Sequence, residues 1–169
     1  QANAFQDQNE NLLPQSISNN QVADVTNPTV DSVSQDISND NSFVDFFFSE
    51  PVYTDQDGNP LLANDFNLSL TTDQNANATQ VSISSITNVT NGLPLQGGEQ
   101  GIRLNFQYNN PASGNGSEQL SITPESNQIY DGWGLPLISI TETTYTLNDV
   151  FPPFVKSFLP TLVSLFDII

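Results

Sequence analysis

Five oxygen-bearing side chains lie within a sixteen-residue part of the stretch SEPVYTDQDGNPLLANDF, and they are Glu50, Asp55, Asp57, Asn59 and Asp65. Calcium is held in proteins by six to eight oxygens from carboxylates, amide carbonyls and the backbone, and this loop offers several of them together. The loop is not an EF-hand, because Gly58 comes two positions early and Phe66 stands where that motif has glutamate. The spacing predicts a Ca²⁺ site here. The alternative is a plain acidic hairpin turn in which Asp57 and Gly58 adopt positive φ.

Catalytic chemistry has little support in the sequence. The chain contains no His and no Cys, so neither a Ser-His nor a Cys-His pair can be assembled. Paired carboxylates can hydrolyse glycosides, but Glu50 and Asp65 flank a turn, and acidic pairs are common in so acidic a chain. We therefore expect no enzymatic activity. Trp133 and Tyr130 in IYDGWG are candidates to stack on a sugar ring, although a lone Trp also commonly closes the end of a sandwich.

Four Asn-X-Ser/Thr sequons are candidate glycosylation sites if the source has the machinery to modify them. Chance matches are expected in a chain so rich in Asn. The four acceptor residues are Asn67, Asn77, Asn88 and Asn115.

The composition restricts the class of partner. Nineteen acidic residues face only Arg103 and Lys156, which gives a formal charge of −17. Nucleic-acid binding relies on Lys and Arg, so it is not expected, and an anionic membrane would repel the chain. Divalent metals, polycations and neutral glycans remain as partners. Hydrophobic residues make up 36% of the chain, enough for a folded core, and the many Asn, Gln, Ser and Thr residues are typical of an extracellular or cell-surface protein.

Residues 24–148 contain short runs in which apolar and polar residues alternate, the pattern of β-strands. GIRLNFQYN is the clearest run, with Ile102 and Leu104 on its inward face. SFVDFFFSEPV carries aromatic residues on both faces, which predicts a central strand. PLISI predicts another strand with Ile138 and Ile140 inward. Seven or eight such strands between turn sequences predict one all-β domain, an antiparallel β-sandwich of two sheets.

The two ends of the chain differ from this domain. Residues 1–23 are polar without a sustained period, and we interpret them as a linker or N-terminal arm. Residues 149–169 are strongly apolar, and DVFPPFVKS repeats the pattern of DVTNPTVDS at residues 24–32. The first strand of a following unit would have this pattern.

The apolar C-terminal segment must be covered, because an exposed surface of this kind promotes aggregation. It either folds back on its own sandwich, or is cut off from a following domain, or adds as a strand to a neighbouring copy. Pro160 and the flanking charges of Lys156 and Asp167 make a membrane-spanning helix a poor alternative. The residues predicted to form the polymerising strand are Val150, Phe151, Phe154, Val155, Phe158, Leu162 and Leu165.

Taken in order, the motifs DVTNPTVDSVS, VDFFFSEPVYTDQDGNPLLANDFNLSL, LSITPESNQIYDGWGLPL and YTLND resemble the Ig-like repeats of large bacterial surface proteins, both adhesins and S-layer-type proteins. The resemblance implies a secreted β-sandwich that works as a spacer, adhesive module or lattice unit, often stiffened by calcium. One departure is DGWGL, where Trp133 and Gly134 replace a small residue and Asn. The resemblance therefore does not assign a metal ligand at this last turn.

Sequence and resemblance together predict a structural subunit or repeat of a secreted cell-surface filament, adhesin or lattice. Copies would be linked head-to-tail by exchange of a terminal strand, and a head-to-tail contact that does not close produces a filament. The alternative is a calcium-dependent glycan-binding module of an adhesin or a secreted enzyme. Neither function requires a nucleic-acid partner or a membrane span.

Overall fold

The computed structural model describes residues 23–74, 76–109, 114–138 and 141–150. Within these residues the regular structure is almost entirely β, and a single 3-10 turn at Ala63–Asp65 precedes the third strand. The strands are β1 (Val30–Val33), β2 (Phe43–Val52), β3 (Phe66–Thr71), β4 (Val81–Asn88), β5 (Glu99–Tyr108), β6 (Gln119–Pro124) and β7 (Thr143–Thr146). The predicted all-β class is confirmed. The predicted N-terminal arm, except Ala23, and the apolar segment beyond Val150 lie outside the described residues.

The strands form two antiparallel sheets. The first has the order β1-β2-β5-β4 and the second the order β3-β6-β7. The same division of strands, with one, two, five and four in one sheet and three, six and seven in the other, occurs in constant-type immunoglobulin domains. In the first sheet Val44 lies opposite Leu104 and Phe46 opposite Ile102, so the apolar residues of β2 and β5 share one face.

Strand β2 is central, as its aromatic residues on both faces predict. Phe46 is fully buried on the inner face. On the outer face, the Arg103 guanidinium lies 3.6 Å from the centre of the Phe43 ring and donates two hydrogen bonds of 2.7 and 2.9 Å to the Asp45 carboxylate. Arg103 therefore covers an aromatic ring and neutralises a carboxylate on the same face.

One hydrophobic core includes side chains from both sheets. Phe46 of the first sheet meets Phe66 of the second with ring centres 5.7 Å apart in an edge-to-face arrangement. Ile129 and Leu137, which lie between β6 and β7, are also fully buried. The core therefore joins the two sheets, and it also includes side chains from the connection between β6 and β7.

The prediction that Ile138 points inward is wrong, because its side chain is 65% exposed. The N–H of Leu137 donates to the carbonyl oxygen of Ile129 at 2.7 Å, which turns Leu137 toward the core. Successive side chains of an extended chain point to opposite faces, so Ile138 faces solvent. Ile140, the other predicted residue of this run, lies outside the described residues.

The chain enters and leaves the domain at opposite ends of β2. On entry, Thr29 exchanges hydrogen bonds with Ser49, near the end of β2. On exit, the Asn148 backbone N–H donates to Asn41 Oδ1 at 2.7 Å and its carbonyl oxygen accepts from Asn41 Nδ2 at 2.9 Å, just before β2 begins. Between Phe43 and Ser49 the strand advances by about 20 Å, so this distance separates the two junctions.

Candidate metal centre

The predicted calcium loop is held by its own hydrogen bonds. Asp55 Oδ1 accepts from the backbone N–H groups of Asp57 and Asn59, at 3.0 and 3.1 Å, and its Oδ2 accepts from Asn59 Nδ2 at 2.7 Å. These bonds, led by the side-chain bond from Asn59, lower the pKa of Asp55. Gly58 follows with φ +85°, as the alternative of an acidic turn predicts, but the positive φ predicted for Asp57 is wrong, because Asp57 is not among the described non-glycine residues with positive φ.

Asp65, the last residue of the predicted set, is buried and lies at the end of the 3-10 turn. Its two carboxylate oxygens accept from Thr54 Oγ1 at 2.9 Å and from the Leu62 N–H at 2.7 Å. Burial raises the pKa of Asp65, while these two bonds act in the opposite direction. Asp65 thus fixes the start of β3, and both of its oxygens have partners within the chain.

The structure instead brings Glu50 together with two acidic residues outside the predicted set. One carboxylate oxygen from each of Asp24, Glu50 and Asp131 lies within 4.8 Å of the others, and this is the one such group of acidic side chains within the described residues. Asp24 belongs to the entering chain before β1, Glu50 to β2, and Asp131 to the turn after β6. We call these three residues the acidic triad.

Asp131 is anchored on one side and unpartnered on the other. Its Oδ1 accepts from the backbone N–H groups of Trp133 and Leu135, at 2.8 and 2.7 Å. Its side chain is 1% exposed, and Oδ2 has no hydrogen-bond partner among the described residues. A buried carboxylate oxygen without a partner is costly and is rarely left so in folded proteins.

The backbone around the acidic triad is fixed by long-range pairing. Tyr53 and Tyr130 exchange two backbone hydrogen bonds of 2.8 Å, which holds the Asp131 turn beside the end of β2. On the entering chain, Asp24 Oδ1 accepts from the Thr26 N–H at 2.9 Å, and Asn27 Nδ2 donates to the carbonyl oxygen of Pro136 at 2.7 Å. Three segments far apart in sequence are thereby brought to one place.

The three carboxylates repel one another. Burial, followed by the negative charges of Asp131 and Asp24, raises the pKa of Glu50. No His or Cys occurs in the chain, so oxygen is the ligand type available. Carboxylate oxygens are the ligands preferred by hard divalent cations such as Ca²⁺ and Mg²⁺. The acidic triad is therefore suited chemically to a divalent cation.

The candidate sugar-stacking residues lie beside the acidic triad. Trp133 is half exposed, so it does not close the end of the sandwich as a buried plug. The Tyr130 hydroxyl donates to the carbonyl oxygen of Asn127 at 2.6 Å, so the Tyr130 side chain is tied to the backbone three residues before it. These positions leave the indole of Trp133 accessible to a ligand.

The four sequon asparagines occupy different environments. Asn67 is exposed on β3, in agreement with the outward position that its strand pattern predicts. The side chains of Asn88 and Asn115 accept hydrogen bonds from nearby backbone N–H groups, at 2.8 Å from Thr90 and 3.0 Å from Ser117. Asn77 is half-buried, and its backbone N–H donates to Glu118. Asn67 is thus the most accessible of the four.

Of the predicted polymerising strand, only Val150 lies within the described residues. The Val150 N–H donates to the carbonyl oxygen of Gly114 at 3.2 Å, so the chain is still attached to the domain at this point. Lys156 also lies outside the described residues.

The fold and site define an all-β domain of two antiparallel sheets with an acidic triad at the entry of the chain. Comparison with protein-family models, with curated proteins and with solved structures gave no match. The described part of the chain contains no helix that is long and apolar enough to cross a membrane.

Proposed function

We propose that the chain is a structural unit of a secreted cell-surface assembly, in which copies are joined head-to-tail by a terminal strand. The observation that carries this proposal is that the chain enters and leaves at opposite ends of β2. Entry lies beside Ser49, and exit lies beside Asn41, about 20 Å apart along the strand. A unit of a linear array needs this separation, because each unit then extends the array by its own length.

Two further observations support the proposal. The sequence at the exit repeats that at the entry, with Asp149 and Val150 in the places of Asp24 and Val25. Strand β1, which follows the entry, is short and lies at the edge of its sheet, and among the described strands it pairs only with β2. An edge strand is the type of element that a strand from a neighbouring copy can extend or replace.

The test is the size of particles formed by the full chain and by a version that ends at Val150. This shorter version retains the contacts of Asn148 and Val150 with the domain, so it keeps the described fold. Light scattering and negative-stain electron microscopy should show filaments for the full chain and monomers for the shorter one. Monomers from both would refute the proposal.

A matched pair of substitutions identifies the strand that is donated. In the full chain, Phe154→Asp with Phe158→Asp places two charges in the C-terminal segment, while Leu12→Asp with Leu13→Asp places two in the N-terminal arm. The proposal expects only the first pair to abolish filaments. If only the second pair does so, the N-terminal arm is the donated strand and the C-terminal assignment is wrong.

A glycan-binding module is the second candidate, and the half-exposed Trp133 favours it. This function expects a monomer that binds a sugar through the indole, by stacking of the ring on an apolar sugar face. A screen of immobilised glycans with the full chain and with Trp133→Ala tests it. Retention that depends on Trp133 would support this function, and the same retention by both would exclude the indole as the contact.

A further inference from the structure

We infer that Asp24, Glu50 and Asp131 form a calcium site that fastens the entering chain to the body of the domain. The site differs from the acidic loop at residues 50–65, with which it shares only Glu50. It also acts within one copy of the chain, so it does not depend on filament formation.

The unpartnered oxygen of Asp131 is the first reason. Asp131 Oδ1 is fixed by two backbone N–H groups, and this leaves the buried Oδ2 without a partner among the described residues, in a carboxylate that belongs to the acidic triad. A native fold rarely leaves a charged oxygen in this state unless an ion or water completes it. One carboxylate oxygen of Asp131 lies within 4.8 Å of one from each of Asp24 and Glu50, and the partner that suits three clustered carboxylates is a cation.

The described part of the chain does not supply that cation. Arg103 is the basic residue within the described part of the chain, and its guanidinium is engaged by Asp45 and by the ring of Phe43. The acidic residues outnumber Lys and Arg by 19 to 2 over the whole sequence. A bound divalent ion would neutralise part of this excess where three carboxylates lie together and one of them is buried.

Calcium fits the site better than magnesium. The carboxylates come from a loop, a strand and a turn, and calcium accepts the irregular geometry that such a set provides, whereas magnesium requires near-ideal octahedral ligands and retains its waters. Backbone carbonyls and water complete the coordination of calcium in sites with few carboxylates. Transition metals are disfavoured by the absence of His and Cys.

The mechanical role follows from the origin of the three ligands. Glu50 and Asp131 belong to the folded body, whereas Asp24 lies six residues before β1 begins at Val30. An ion held by all three would fix the entering chain at a point that precedes, along the sequence, the first hydrogen bond between β1 and β2. The site therefore sets where the domain begins.

The experiment is a calcium titration of the chelator-treated full chain by calorimetry. We expect one site with a dissociation constant of roughly 10⁻⁴ to 10⁻³ M, as in other extracellular modules with few carboxylates. Asp131→Asn and Asp24→Asn should each weaken binding at least about tenfold. Asp57→Asn, which removes the same charge from the acidic loop, is the matched control and should leave the affinity unchanged.

Two other measurements keep the test decisive. Terbium bound at the acidic triad should luminesce on excitation of Trp133, the only Trp in the chain, because the backbone N–H of Trp133 donates to Asp131 and so places this residue beside the site. The substitution Trp133→Phe should remove this luminescence without changing the calcium affinity. Hydrogen exchange at residues 24–29 should slow in calcium in the native chain and not in Asp24→Asn, a variant at the partly exposed end of the site that leaves the core intact.

Three results would overturn the inference. They are the absence of calcium binding by the full chain, loss of binding in Asp57→Asn but not in Asp131→Asn, and equal binding of magnesium and calcium. Filament assays in calcium and in chelator separate this inference from the proposed function. Calcium binding by a chain that stays monomeric supports the site and refutes only the assembly.

Discussion

Replacement of Glu118 by Gln should destabilise the domain by far more than the loss of a surface charge. The side chain of Glu118 is fully buried just before β6. Its Oε1 accepts from the N–H groups of Asn77 and Ala78, at 2.9 and 3.4 Å, and its Oε2 accepts from the Asn115 N–H at 2.9 Å. One carboxylate thus joins the loop after β3 to the loop before β6.

The magnitude follows from these three bonds. The side-chain amide introduced by Glu118→Gln would keep one carbonyl oxygen, and its NH₂ group would face an N–H that it cannot accept from. Hydrogen bonds to a charged group contribute about 1.5–3 kcal/mol each, and an unpaired buried donor costs about 1–3 kcal/mol. We therefore expect Glu118→Gln to lower the free energy of unfolding by about 3 kcal/mol, or the melting temperature by roughly 10 °C.

The assay is urea denaturation of Glu118→Gln beside Glu142→Gln, which removes the same charge from an exposed position. The control should change stability by less than about 0.5 kcal/mol. A loss below about 1 kcal/mol in Glu118→Gln would show that the carboxylate does not join the two loops, and the reasoning would fail.

The pH dependence provides a second check on Glu118. Burial alone would raise its pKa, but the backbone N–H donors, led by Asn115, outweigh burial and hold the pKa below 4.5. Because the folded pKa is lowered, the carboxylate stabilises the fold above pH 4.5, and this contribution is lost as pH falls through the folded pKa. The difference in the free energy of unfolding between the native chain and Glu118→Gln should therefore become smaller as the pH falls below 4.5.

Two other predictions concern the tyrosines and a glycine. Burial raises the pKa of Tyr145 to about 12 and also raises that of Tyr108, from 10.0 when unperturbed, so the neutral phenols stabilise the fold below pH 10. The free energy of unfolding should fall by about 1.4 kcal/mol per pH unit for each tyrosine as pH rises from about 10 to about 12. Urea denaturation over this pH range measures the fall, and Tyr145→Phe should remove half of it. Gly114→Ala should cost at least about 2 kcal/mol more than Gly92→Ala. Both glycines have positive φ, but a Cβ at Gly114 would clash with the backbone carbonyl oxygen of Asn148, whereas one at Gly92 meets nothing within 4 Å. Equal melting temperatures for the two variants would contradict this.

The alternation of apolar residues predicted the strands well. A period of two residues is a local signal, so β2 and β5 could be recognised, and aromatic residues on both faces of β2 placed it at the centre of a sheet. The same rule failed at Ile138 because the turn around Asp131 sets the register there. A shift of one residue exchanges the inward and outward faces.

The acidic triad could not be predicted from spacing, because its members lie in three separate parts of the sequence. The loop around Asp55 was predicted as a calcium site because its acidic residues are close in sequence. In the structure, both carboxylate oxygens of Asp55 accept hydrogen bonds that form a turn. Glu118 was missed for a different reason. It follows a loop of Asn, Gly and Ser residues, where an acidic side chain is normally solvated, and only the fold brings three N–H groups around it.

The separation of entry and exit along β2 determines how the domain would carry tension. Pulling on the two ends would load β1 along its own axis, since β1 runs antiparallel to β2 from the entry side. Ladder hydrogen bonds lie perpendicular to the strands, so such a force shears several of them together and does not open them one at a time. Asp24 lies ahead of β1, and an ion at the acidic triad would bear the load before the sheet does.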